Sequence, residues 1–86
     1  MTYGIKVSAR AEKDMMRLSA KERKTLANKI DLLATNPRPS GCLKMKGRTE
    51  DLWRIRSGDY RILYAIDDVI RIVDIRQVGH RREVYR

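Results

Sequence analysis

The sequence predicts an α+β fold in which a two-helix hairpin packs on one face of a small, mainly antiparallel, twisted sheet, in the order β-α-α-β-β-β-β. Three observations predict it. Apolar residues recur at helical spacing through the first part of the chain. The stretch Asn36-Pro37-Arg38-Pro39-Ser40-Gly41 then ends that pattern, and beyond it the period falls from about 3.6 to 2. Short polar breaks separate the later segments, as in strands joined into a meander.

Tyr3-Gly4-Ile5-Lys6-Val7 alternates and is short, which predicts a first strand ending at Ser8, an N-cap for the first helix. Ala11, Met15 and Leu18 place one face of that helix. Ser19 starts the second, with Glu22 three residues on to complete a capping box, and Leu26, Ile30 and Leu33 carry its apolar stripe. Proline lacks an amide hydrogen and restrains its predecessor, so Pro37 and Pro39 stop that helix. Leu43 and Met45 then oppose Lys44 and Lys46, Trp53 and Ile55 oppose Arg54 and Arg56, and Ile62, Tyr64 and Ile66 oppose Arg61, Leu63 and Ala65. Ser57-Gly58-Asp59 and Asp67-Asp68 are the turns, giving strands that begin near Leu52, Tyr60 and Val69. With the helices on the apolar side, the other side of the sheet is expected to be open and to carry Lys44, Lys46, Arg54, Arg56 and Arg61.

The chain has 86 residues, enough for one domain, residues 1–86, with a single modest core. A net charge of +9 on so small a surface draws in nucleic acid or an acidic protein. Arginines concentrate after Arg48, whereas most lysines precede Leu43. A guanidinium fork engages two phosphate oxygens at once, so the later part reads as a polyanion surface. Cys42 has no partner for an internal disulfide, and one histidine leaves no ligand set for structural zinc, so no metal or cofactor is expected. No apolar run suits a signal sequence or a membrane span, and a reducing cytoplasm is the expected location.

Three motifs stand out: Leu43-Lys44-x-x-Gly47; Leu52-Trp53-Arg54-Ile55-Arg56-Ser57-Gly58-Asp59-Tyr60-Arg61-Ile62-Leu63-Tyr64; and Val78-Gly79-His80-Arg81-Arg82-Glu83-Val84-Tyr85. Together they resemble the RelE/ParE superfamily of bacterial and archaeal toxins, the RelE branch in particular, over essentially the whole chain. The resemblance implies a RelE-like fold and a toxin of a type II toxin–antitoxin system. Such toxins enter the ribosomal A site and cut messenger RNA without metal, using the RNA's own 2′-hydroxyl as nucleophile. It also implies a RelB-like antitoxin that wraps the toxin in a hetero-oligomer, with the 70S ribosome and mRNA as the other partners. Five motif positions are filled by suitable residues: Arg54, Arg56, Arg61, Arg81 and Tyr85. The basic pair is often lysine in the family and is Arg54 and Arg56 here, fixed cations that supply charge and not a proton.

The chemistry needs a base for the 2′ proton, charge for a dianionic phosphorane and a donor for the 5′-oxygen. Tyr85 suits the first if neighbouring arginines lower a tyrosine's pKa from about 10. Arg61 and Arg54 suit the second, and Arg56 a flanking phosphate. Arg81 matches the family residue near the leaving group, while His80 is the alternative, because an imidazole is intrinsically the better proton donor. Arg82, Arg86, Lys44 and Lys46 are candidate phosphate or ribosome contacts. Glu50, just before the strand, is a further candidate base. Two other readings use the same residues: a ParE-like DNA gyrase inhibitor without nuclease chemistry, and an RNA-binding domain without sequence preference.

Overall fold

The structure is a computed structural model and describes residues 2–46 and 50–80. Its elements run β1 (Gly4–Val7), α1 (Ala9–Met16), α2 (Ala20–Leu32), β2 (Leu43–Lys44), β3 (Trp53–Ser57), β4 (Tyr60–Asp67) and β5 (Ile72–His80). The five strands form one sheet in the order β1-β5-β4-β3-β2, with β1 parallel to β5 and every other pair antiparallel. The predicted α+β order is the observed one.

Both helix starts follow from their serines. The Ser8 hydroxyl accepts the Ala11 N–H at 3.1 Å, and Ser19 with Glu22 forms the reciprocal capping box. Arg23 closes the elbow between the helices by donating to the carbonyls of Met15 and Leu18, at 3.2 and 3.1 Å.

α1 also protects a sheet edge. β1 ends at Val7 while β5 continues to His80, so on that side part of β5 has no strand neighbour among the described residues. Ser8 bridges first, its N–H to the Ile75 carbonyl and its hydroxyl to the Arg76 carbonyl, and the Asp14 carboxylate then accepts the Val78 N–H at 3.0 Å.

The core lies between helices and sheet: Ala11, Leu26, Ile30, Leu33, Ile55, Ile62, Tyr64, Val73, Ile75 and Val78. Tyr64 is wholly buried and donates its hydroxyl to the Pro37 carbonyl at 2.7 Å, which satisfies the one polar atom it brings inside. Burial, reinforced by Cys42, pushes that phenol well above its ordinary pKa. Arg38 ties the same loop down with a two-pronged pair to Asp68 and by stacking over the Trp53 ring at 5.0 Å.

Three expectations need correction. β5 begins at Ile72, not near Val69, because the Asp67 carboxylate accepts the N–H groups of Val69 and Ile70 and Arg71 takes a left-handed φ of 59°, which prolongs the turn. The sheet's second side is only partly open: Leu63, Arg54 and Arg61 are all buried there. Finally, β2 pairs Leu43 with Arg54 and Lys44 with Trp53, so Leu43 shares the arginine side and Lys44 the other. A two-residue strand constrains register weakly, and a slip of one residue exchanges the faces.

Candidate functional site

The tight turn at Gly58-Asp59 builds the site. Ser57 pairs with Tyr60, leaving two loop residues, and Gly58 takes a φ of 61° at the first of them, a conformation glycine adopts without penalty. That turn sets Arg56 directly opposite Arg61, with Arg54 two residues back opposite Leu63. Three guanidinium side chains therefore share one face of two adjacent strands.

Their environments differ. Arg54 and Arg61 are 6% and 5% exposed, whereas Arg56 is open to solvent. Leu63, directly opposite Arg54, is also buried on this face. A charge sunk among apolar side chains is screened less than one in water, so its field on a nearby anion is stronger. Among the described residues Arg56 has no carboxylate within 4.0 Å, and it faces a like charge across the strand pair. Such an arrangement disfavours folding and favours an anion.

Beyond β2 the rim of β3 opens into a cavity of about 340 Å³, lined by Lys29, Pro39, Ser40, Gly41, Leu43, Arg54, Ile55 and Arg56. Lys29 joins the arginines there from α2. Sequence reasoning missed it, since it sits beside Ile30 of the apolar stripe and nothing local distinguishes it from a solvated lysine. A larger cavity, about 590 Å³, lies elsewhere, between the start of α2 and the β3–β4 turn.

β5 decides which neighbours the arginines have. Ile75 pairs with Tyr64 and Val78 with Ile62, both on the helix side, although they are three residues apart. A bulge at Arg76 absorbs the odd residue. It turns Gly79 to the arginine side, opposite Arg61, and His80 to the helix side, opposite Tyr60. The His80 ring meets Tyr60 edge-on at 5.9 Å and lines a cavity of about 190 Å³ with Asp14, Arg17 and Leu18. The Tyr60 hydroxyl donates to Glu22 at 2.9 Å, and that bond, with those from Ser19, holds the Glu22 carboxyl below its usual range.

The remaining candidates divide. Glu50 is engaged by the Arg76 guanidinium at 2.7 Å, toward the other end of the sheet face, where Asp51, Asp67 and Asp74 also lie around a cavity of about 500 Å³. Lys44 reaches Asp51 at 3.5 Å on the side opposite Arg54, and Lys46 is exposed just beyond β2. Arg81, Arg82, Tyr85 and Arg86 lie outside the described residues. The structure thus brings together Arg54, Arg56 and Arg61 and separates them from His80, Lys44 and Glu50. Among the described residues no group of His, Cys, Asp and Glu could hold a metal, and no helix is long and apolar enough to cross a membrane. Fixed cations on a rigid sheet can bind a phosphodiester and stabilise charge that builds on it.

Comparison with known proteins places this face in context. A family model described as the ParE toxin of the parDE type II toxin–antitoxin system matches residues 5–85. The toxin RelE of Mycobacterium tuberculosis is 33% identical over 85 residues, covering 98% of this chain and 87% of that protein. In the crystal structure of the archaeal RelE-RelB complex from Pyrococcus horikoshii, a chain 27% identical superposes with a TM-score of 0.81 over 94% of this chain and 97% of its own. The isolated RelE toxin of E. coli, 28% identical, gives 0.77 over 96% and 90%.

Proposed function

Because this chain belongs to the ParE toxin family of type II toxin–antitoxin systems, with RelE toxins among its relatives, we propose that it cuts messenger RNA in the ribosomal A site and so stops translation. The observation that carries the reading is the triad of guanidinium groups on β3 and β4, two of them buried and two directly opposed.

In the proposed reaction the 2′-oxygen bonds to phosphorus and the bond to the 5′-oxygen breaks, leaving a 2′,3′-cyclic phosphate and a 5′-hydroxyl. Arg61 and Arg54 stabilise the dianionic phosphorane; removing one preorganised donor of this kind typically costs about 10² to 10³ in rate. Arg56 holds the flanking phosphate. Tyr85 takes the 2′ proton and Arg81 serves the leaving oxygen, roles that rest on the motif alone. His80 is the poorer candidate for that last role, since the bulge turns it to the opposite side of the sheet from Arg61. No step needs a metal or cofactor.

The reading also supplies partners and a place of action. Solved RelE chains are found in complexes with RelB, and an acidic antitoxin here would neutralise the arginine face and block substrate in a toxin–antitoxin assembly. The ribosome places the activity in the cytoplasm. Primer extension on a defined mRNA translated in a purified bacterial system tests it. Ribosome-dependent cuts that fade in Arg61→Ala and Tyr85→Phe are expected. Cuts that persist in both variants refute the assignment of roles, and absence of cuts with inhibition of gyrase supercoiling refutes the nuclease reading.

A further inference from the structure

The helix layer carries a second basic surface that the reaction does not use. Arg10 and Lys13 on α1 and Arg17 at its C-cap stand at i, i+3 and i+7, a stripe about 10 Å long, and Lys21 and Lys24 extend it from the start of α2. All five are exposed, and Arg10, Lys13 and Arg17 border a shallow hollow of about 350 Å³.

An exposed charge run is usually just solvated, but here two of the nearby carboxylates, Asp14 and Glu22, are engaged elsewhere. Asp14, 14% exposed, spends its Oδ2 on the Val78 N–H, with Arg10 a loose 3.8 Å away. Glu22 is occupied by Ser19 and the Tyr60 hydroxyl. Among the described residues no carboxylate lies within 4.0 Å of Lys13, Arg17, Lys21 or Lys24. Asp14 and Glu22 are thus committed to partners of their own, Glu12 stays exposed on α1, and the five cations are left outside.

We infer that this ridge binds the phosphate backbone of double-stranded RNA, and, resting on the proposed function for its source, of ribosomal RNA. A row of point charges at helical spacing suits the phosphates flanking the shallow groove of an A-form helix. A protein interface would want an aromatic or apolar anchor, and Met16 is the single exposed large apolar side chain on α1. Since the helices cover one side of the sheet and the arginines occupy the other, the protein presents opposite faces to two RNA elements at once.

The test measures affinity for a blunt 16-base-pair RNA duplex, and for 70S ribosomes with an empty A site, across a salt series. The ridge variant is Arg10→Ala/Lys13→Ala/Arg17→Ala. The control is Leu32→Glu/Thr35→Glu/Val69→Glu, which lowers the net charge of +9 by the same three units at exposed positions away from the ridge. The ridge variant should bind duplex and ribosome at least tenfold more weakly than the control, with a salt slope shallower by about 2 to 3, at roughly 0.9 per lost phosphate contact. Equal affinities and slopes for ridge variant and control overturn the inference. So does unchanged duplex binding with lost antitoxin binding, which would make the ridge a protein contact. Ridge-dependent duplex binding in a protein that cuts no mRNA sustains the RNA surface and refutes only the nuclease reading.

Discussion

Replacing Arg56 by glutamine should make this protein more stable and less active. Arg56 is exposed on β3, lacks an ion pair among the described residues, and stands directly across from Arg61. Opposed residues of an antiparallel pair have Cβ atoms about 5 Å apart, which puts the two charges at about 7 Å. Their repulsion is about 0.6 kcal/mol with the dielectric of water and about 2.4 kcal/mol at an effective value of about 20. One partner is exposed and the other buried, so about 1 kcal/mol is the working figure. Glutamine keeps most of the stem and removes the charge. Melting followed by circular dichroism should rise by about 4–8 °C for a domain of this size. The gain should shrink at 0.5 M salt, where screening already weakens the repulsion. The same variant should cut mRNA at least several-fold less efficiently, through weaker binding. A lower melting temperature, or a gain that salt leaves unchanged, would refute the opposed-charge argument.

Other outcomes rest on the packing and the ionised groups. Leu26→Ala should destabilise by about 2–5 kcal/mol in denaturant titration, against less than about 0.5 kcal/mol for Leu32→Ala, since Leu26 is 1% and Leu32 64% exposed. The Arg38 guanidinium, helped by the Tyr3 hydroxyl, holds the Asp68 carboxyl down at about 2. A depressed carboxyl contributes stability that is complete above its unfolded value of about 4 and is lost as pH falls through its folded value. Wild type should therefore lose stability between about pH 4 and 2, and Asp68→Asn should flatten that part of the profile; an unchanged profile would remove Asp68 from the account. Deleting Arg76 removes the bulge, so Val78 must leave the core or β5 must unpair, and a loss of at least about 2 kcal/mol is expected by thermal melting. Wild-type stability in that deletion would show that the bulge is not what sets the faces of β5.

Much of the fold was legible because it depends on local chemistry. Ser8 and Ser19 cap helices whatever surrounds them, Pro37 and Pro39 end one in any context, and Gly58 marks a turn that only a few conformations can make. The alternation from Trp53 to Tyr64 sufficed to put Arg54, Arg56 and Arg61 on one face, because that turn sets their register. The motif that names Arg81 and Tyr85 was legible too, and their geometry lies outside the described residues.

What the chain could not announce is what distant segments do to each other. Whether Lys44 or Leu43 joins the arginines depends on how a two-residue strand meets β3 after a proline loop, and period alone does not choose. The burial of Arg54 and Arg61 is not readable from the period, which gives the exposed Arg56 the same face. The bulge at Arg76 has no signature in Ile75-Arg76-Gln77-Val78, yet it sends Gly79 toward Arg61 and His80 toward Tyr60. Sequence by itself determined the elements, their order and the cationic chemistry, because those depend on local bonding and period. Only the tertiary structure decided which cations are buried, which residues share their face and which acids are already engaged, because a register shift of one residue reverses every side chain beyond it.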